Sequence, residues 1–307
     1  MQTPMDGVLV VDKPAGPTSH DVVARVRRAL RTKRIGHTGT LDPLATGVLP
    51  LVIGRATRLA SLLSGADKEY DAGVRLGLAT ETYDAADRIG PPPEAPPDID
   101  FERVDDALAE FRGTFEQAPP AYSAKKIDGV AAYKLARLHT PVQPRSVRVT
   151  VAFLALHSYD RGLARLRVRA SAGFYVRSLA HDLGQRLGCG AHLETLRRIR
   201  AGAFSEESAI PLAAIEAEGR GAARLIVPID QLLPHVPSVV LNDRGAVRAS
   251  HGHELTPEDL IDPSAVSRTA DDGSAPGRWR LVDAGGMVLG IAESRPGGLL
   301  HPVIVLV

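Results

Sequence analysis

An α+β fold with a small β-rich unit at its C-terminal end is what this 307-residue sequence predicts. Two observations carry the prediction. Strand-like and helical runs alternate without the regular beat of βαβ units. After about Val236 the texture changes to short strand-like runs separated by Gly-rich turns. We find no internal repeat. An apolar content of 44% with 24% charged residues fits an ordinary globular chain and argues against disordered or fibrous classes.

The first run, Gly7-Val8-Leu9-Val10-Val11-Asp12, is β-branched and ends at the turn Lys13-Pro14-Ala15-Gly16-Pro17. Thr18 and Ser19 offer an N-cap. Val22, Val23, Val26, Ala29 and Leu30 then share one helical face, with Arg25, Arg27, Arg28 and Arg31 on the other. Val48–Ile53 reads as a buried strand and Tyr70–Leu76 as an alternating one. Gly90–Asp98 is Pro-rich and punctuates the chain. Helical spacing follows over Asp100–Arg112, and a short helix is expected over Ala131–Leu138. Strands are expected at Val147–Leu156 and Ala164–Ala172, and a helix over Val176–Leu187. Leu193–Arg198 reads as basic and helical. In the last seventy residues or so, Arg278–Val282, Met287–Ala292 and Pro302–Val307 look like strands. A Ser/Asp/Pro/Gly-rich stretch, Asp262–Gly277, looks like an insertion.

The single cysteine, Cys189, excludes an internal disulfide and a Cys-based zinc cluster. No apolar run approaches the ~20 residues of a membrane span, and no basic segment followed by an apolar run opens the chain. A cytoplasmic protein without a membrane partner is expected. The net charge of +1 averages over an uneven chain. Residues 1–58 hold nine Lys/Arg against four Asp/Glu, residues 81–116 three against eleven, and residues 117–200 fifteen against four. One polyanion-facing surface would produce that asymmetry, as would solvated basic helix faces.

Chemistry concentrates in Gly36–Pro50. Three glycines, three threonines, His37, Asp42 and two prolines make a polar, constrained loop. Pro43 pushes Asp42 out of the α region. A carboxylate so held beside a histidine and a run of bases could form a site. It could equally cap a turn over Leu44-Ala45-Thr46, and pattern alone leaves the turn ahead. A phosphate-binding P-loop fits poorly, since no Gly-Lys-Ser/Thr follows.

Longer segments decide between these readings. Lys13–Ser19 and Gly36-His37-Thr38-Gly39-Thr40-Leu41-Asp42-Pro43-Leu44-Ala45-Thr46-Gly47-Val48-Leu49 closely resemble the two N-terminal motifs of TruB-type tRNA pseudouridine synthases. The resemblance continues through Lys68-Glu69-Tyr70, Pro119–Lys126, Gly173-Phe174-Tyr175-Val176-Arg177 and Leu196-Arg197-Arg198, in family order over about two hundred residues.

The resemblance implies a mixed or antiparallel central sheet flanked by helices over residues 1–235, and a PUA-like RNA-binding domain over 236–307. It implies isomerisation of uridine to pseudouridine at position 55 in the tRNA T loop, with the base flipped out and no cofactor or metal. It assigns Asp42 as the catalytic carboxylate. Arg177, read as a strand residue, is its cation partner, and Tyr70 is an aromatic platform that could also move a proton. His37, Arg58, Tyr175 and Leu196 are substrate-binding positions. Arg58 stands where some relatives carry lysine, and Phe174 where relatives often carry threonine. Alternation would point Phe174 to the opposite face from the pocket. Basic segments 25–34 and 145–200 would grip stem phosphates.

Such a protein would act as a monomer on the T-arm stem-loop. A guide-RNA-dependent relative would carry long basic extensions, which this chain lacks. A tRNA chaperone without catalysis would have lost Asp42, Tyr70 or Arg177, and all three are present.

Overall fold

In the computed structural model, the described residues are 5–91, 94, 96, 98–122, 126–127, 130–131, 145–264 and 277–307. Strand β1 (Gly7–Lys13) leads through the Thr18 capping box into helix α1 (Ser19–Leu30). Next come β2 (Ile35–His37), β3 (Thr46–Ile53), a 3-10 turn at Gly54–Leu59, short helix α2 (Ala60–Ser64) and β4 (Lys68–Leu76). Helix α3 (Phe101–Leu108) precedes β5 (Gly113–Gln117) and the two-residue strands β6 (Lys126–Ile127) and β7 (Val130–Ala131). The long hairpin β8 (Val147–Asp160) and β9 (Leu163–Ala170) leads to helix α4 (Val176–Leu187) and β10 (Ala191–Ala201). Short strands β11 (Phe204–Ser205), β12 (Ile210–Pro211) and β13 (Val227–Pro228) flank helix α5 (Leu212–Glu218). The chain closes with β14 (Ser238–Val240), helix α6 (Asp243–Ser250), β15 (Arg278–Val282), β16 (Val288–Arg295) and β17 (Leu299–Val305).

The main sheet runs β12-β1-β3-β10-β4-β9-β8-β5. It is mixed: β10 pairs with β3, and β1 with β12, in parallel, while β10–β4–β9–β8–β5 is antiparallel throughout. A second sheet, β14-β15-β16-β17, belongs to the C-terminal segment. The α+β class is thus as the sequence led us to expect.

Burial explains the patterning. β3 is apolar on both faces because each meets a core. Leu49, Leu51 and Ile53 join the core formed with α1, α3 and α4. Val48 and Val52, with Val8 and Val10, pack against Val288 and Ile291 of the C-terminal sheet and Leu306 just after it. At the far end of the main sheet the uncovered face carries Arg165, Arg167 and Arg169, which alternate with buried Ala164, Leu166, Val168 and Ala170. Among the described residues no helix is long and apolar enough to cross a membrane.

Several sequence expectations need correction. Leu193–Arg198 is strand β10, not helix. Irregularities between Leu193 and Thr195, and between Arg198 and Arg200, insert extra residues against β4. Leucines three apart therefore share one strand face and imitate a helical spacing. Arg177 sits in the first turn of α4 rather than on a strand. The chain after Ala170 is a turn, with Gly173 at φ +92°, so strand alternation does not govern Phe174. Helix α6 had no counterpart in the sequence reading. Apart from Ala131, which lies in β7, the helix expected over Ala131–Leu138 falls outside the described residues, as does most of Asp262–Gly277.

The basic stripe of α1 is partly consumed within the fold. Arg25 is paired with Glu216 of α5, and Arg27 donates to the Ile35 carbonyl. In the second basic segment, Arg167 is paired with Asp71, and Arg197 with Asp12 and Glu206.

Candidate active site

The loop between β2 and β3 is held by side chains from three elements. Ser19 Oγ donates to the Leu41 carbonyl at 3.0 Å and accepts from the Leu41 amide at 2.8 Å. Buried Lys13 donates to the Ala45 carbonyl at 2.6 Å and, more loosely, to that of Pro43 at 3.4 Å. Arg198, also buried, donates from Nε to Val48 at 2.7 Å and from Nη2 to the Gly39 carbonyl at 3.2 Å. The Ala45 amide bonds back to the Asp42 carbonyl at 3.1 Å. The turn foreseen as the bland alternative therefore exists. It leaves the Asp42 carboxylate free to project.

That carboxylate meets Arg177 across the cleft. Arg177 Nε lies 2.9 Å from Oδ2, and Nη2 donates to Oδ1 at 3.2 Å. The guanidinium is itself fixed, because Nη1 donates to the Thr82 carbonyl and Nη2 to that of Tyr122, both at 3.0 Å. Buried Asp84 approaches Nη1 at 3.7 Å. Helix α4 can present Arg177 so rigidly because its N-terminal turn is clamped from β5. Gln117 accepts from the Tyr175 amide and donates to its carbonyl, and Ser178 Oγ donates to Ala118.

The cleft encloses about 500 Å³. Asp42, Tyr70, Tyr175, Arg177 and Leu196 all line it, together with Lys68, Phe174 and Arg198. Tyr70 stands opposite Arg198 across β4–β10, and Leu196 opposite Ala72, so one sheet face supplies the aromatic ring, the apolar patch and a cation. Phe174 is a correction: it lines the same cleft as Tyr175 rather than the opposite face.

Two expected positions lie outside this lining. His37 ends β2 next to Thr38, a lining residue, and its Nδ1 accepts a long bond from the Gly39 amide at 3.4 Å. Arg58 is exposed and donates to the Val305 carbonyl of the C-terminal sheet.

Electrostatics follow from burial. Asp42 keeps 32% of its side-chain surface open to the cleft but is surrounded below by protein. Desolvation therefore pushes its pKa up, Arg177 opposes the rise and Asp84 adds to it. Burial lowers Lys13 to about 8, with Asp42 holding it up and Arg198 pushing it down. Lys68, on the cleft wall, is lowered to about 8 by burial and by Arg198. Burial, then Arg198 and His20, also lowers His37 and favours the neutral imidazole. The arrangement can hold a carboxylate against a fixed guanidinium beside an aromatic wall.

Sequence reading missed Asp84 and gave Lys68 and Arg198 no role. Asp84 stands in a polar run, Thr80–Asp87, whose only local signal is N-capping of the turn at Ala85–Asp87. Lys68 and Arg198 look like surface charges until the strands place them.

The chain is similar to known proteins over nearly its whole length. Residues 27–176 match the model of the TruB family pseudouridylate synthase N-terminal domain, and residues 177–234 that of the tRNA pseudouridylate synthase B C-terminal domain. The chain is 44% identical to tRNA pseudouridine synthase B of Solibacter usitatus (strain Ellin6076), over 98% of this chain and all of that protein. It is 40% identical to the protein of the same name from Azoarcus sp. (strain BH72), over 96% and 93%. Among solved structures, a chain of a Cbf5-Nop10-Gar1 complex superposes with a TM-score of 0.74 at 26% identity, covering 99% of this chain and 85% of that one.

Proposed function

Since the chain belongs to the TruB family of pseudouridylate synthases, we propose that it is an isomerase that converts uridine to pseudouridine in tRNA, at position 55 of the T loop, with Asp42 as its catalytic carboxylate. The observation that carries the reading is the Asp42–Arg177 pair at the floor of a cleft whose walls include Tyr70, Tyr175 and Leu196.

The chemistry needs little more. The N1–C1′ bond breaks, the uracil turns, and a C5–C1′ bond forms as the C5 hydrogen leaves and N1 gains a proton. No water is consumed, so one carboxylate suffices where glycosidases generally use two. A cleft of this size fits a single extruded nucleotide, which the loop of a stem-loop can supply at lower cost than a duplex. Tyr70 would stack on the base, with Tyr175 and Leu196 bounding it. Arg177 would orient Asp42 and favour its charged form. His37, neutral at the rim, would fill the space left by the flipped base. Exposed Arg58 has donors to spare for a backbone phosphate beyond the one given to Val305. Residues 1–235 would form the catalytic domain and 236–307 a PUA-like RNA-binding unit, in a monomeric cytoplasmic enzyme that requires no guide RNA.

A tRNA transcript labelled with tritium at uridine C5 tests the reading. We expect one tritium released per tRNA, and a carbodiimide-dependent reverse-transcription stop one nucleotide 3′ of nucleotide 55. Absence of release refutes the activity, and a stop elsewhere refutes the position. Full activity in Asp42→Asn refutes the catalytic assignment.

A further inference from the structure

The groups that fix Arg177 depend on an unusual backbone. Thr82, whose carbonyl accepts from Nη1, and Asp84, whose carboxylate stands 3.7 Å from it, flank Tyr83. Tyr83 has φ +64°, a left-handed conformation that strains a bulky residue with a Cβ. Returning Tyr83 to the usual negative φ would swing the peptides on either side and carry the Thr82 carbonyl and Asp84 off the guanidinium.

The structure shows what holds the strained turn. The Tyr83 ring lies flat on His181, with centroids 3.8 Å apart and an interplanar angle of 14°. His181 is one turn beyond Arg177 on α4. Its Nδ1 is buried and has no hydrogen-bond partner among the described residues, so the imidazole face is the part the fold uses here. The backbone of Tyr83 is tied as well, its amide to Thr80 and its carbonyl to the Leu193 amide at 2.9 Å. Thr82 Oγ1 closes the turn on Asp84 Oδ1 at 2.9 Å.

We propose that the Tyr83–His181 stack is a positioning element that locks the Thr82–Asp84 turn against α4 and so fixes the guanidinium that presents Asp42. The proposal rests on the reading of Asp42 and Arg177 as the reacting centre. One helix thus carries both the guanidinium and the platform that positions its two ligands, and a shift of α4 moves them together.

Three variants test it. Tyr83→Phe keeps the ring. Tyr83→Ala removes the ring while keeping the Cβ that strains the positive φ. His181→Ala removes the stack from the helix side and serves should Tyr83→Ala not fold. Two readouts separate positioning from mere stability. The titration of the Asp42 carboxyl, followed by carbon-13 NMR without RNA, should move upward in Tyr83→Ala and His181→Ala, because Arg177 then opposes protonation less well. It should stay in place in Tyr83→Phe.

Single-turnover pseudouridine formation should fall about 10- to 100-fold in the two stack-less variants, the scale of an ångström-sized misplacement. The dissociation constant for tRNA should hold within about twofold, and Tyr83→Phe should retain the wild-type rate. A folded stack-less variant with wild-type titration and rate overturns the proposal, as does an equal loss of rate and affinity. Inactivity of the unmutated protein toward tRNA would refute the proposed function, while the titration would still report on the stack.

Discussion

Replacing Arg177 by methionine removes the cation from the cleft floor while filling much of its volume. The guanidinium touches both oxygens of Asp42 and is only 6% exposed, so the pair is more than a surface ion pair. Deleting one partner of a buried pair costs about 3–5 kcal/mol. Asp42 remains open to the cleft over 32% of its side chain, so solvent repays part of this, and about 3 kcal/mol is the working value. If that interaction orients the reacting carboxylate, the chemical step slows by about two orders of magnitude.

The pH profile supplies a second reading. Burial and Asp84 already raise the pKa of Asp42, and Arg177 is the first group opposing them. Without Arg177 the acid limb of the rate profile moves to higher pH. The assay is single-turnover tritium release from C5-labelled tRNA across pH, with affinity measured by filter binding. A wild-type acid limb, or a loss of affinity equal to the loss of rate, would refute the reasoning. The second result would mean that Arg177 serves a phosphate.

The same electrostatics make Asp42 a stability liability. Its folded-state pKa is raised, so the folded chain holds the proton more tightly than the unfolded one. That contribution is present at acid pH and is lost as pH climbs through the folded value. Asp42→Asn should therefore gain in urea midpoint over the wild type as pH rises from acid to neutral, and an unchanging gap would refute the assigned burial. Lys13 and Lys68 have the opposite profile: with folded pKa values of about 8 against 10.5, folding disfavours their charged forms. Wild-type stability should rise between those pH values. Lys13→Met and Lys68→Met should each flatten part of the rise in urea titrations. Gly47 has φ +97°, and an added Cβ would fall 2.2 Å from the Arg198 carbonyl, where β3 and β10 meet. Gly47→Ala should cost about 3 kcal/mol or more in chemical denaturation, and a loss below about 1 kcal/mol would show that the crossing can relax.

Much of the architecture was legible because it depends on local periodicity. The alternation of Tyr70, Ala72, Val74 and Leu76 marked β4, and the spacing of Val22, Val23, Val26 and Leu30 marked α1. Reading failed where a tertiary device altered the period. The irregularities in β10 turned alternation into threefold spacing, and the turn after Ala170 removed Phe174 from any strand rule. The bases of α1 illustrate another limit. Sequence presents them as a free stripe, but Arg25 already has its carboxylate on α5, 191 residues away in sequence.

By itself the sequence determined the α+β class, the loop that bears Asp42, and the family to which that loop belongs, because motif and periodicity are properties of neighbours along the chain. It also made Tyr70, Tyr175, Arg177 and Leu196 members of one expected site, and they do line one cleft. Only the tertiary structure decided that Asp84 and the Thr82 carbonyl would hold the arginine, that Lys68 and Arg198 would be buried cations on the wall, and that Arg58 would face the C-terminal sheet. Those outcomes depend on distances between residues far apart in sequence, and on desolvation, which a residue acquires only when the rest of the chain closes over it.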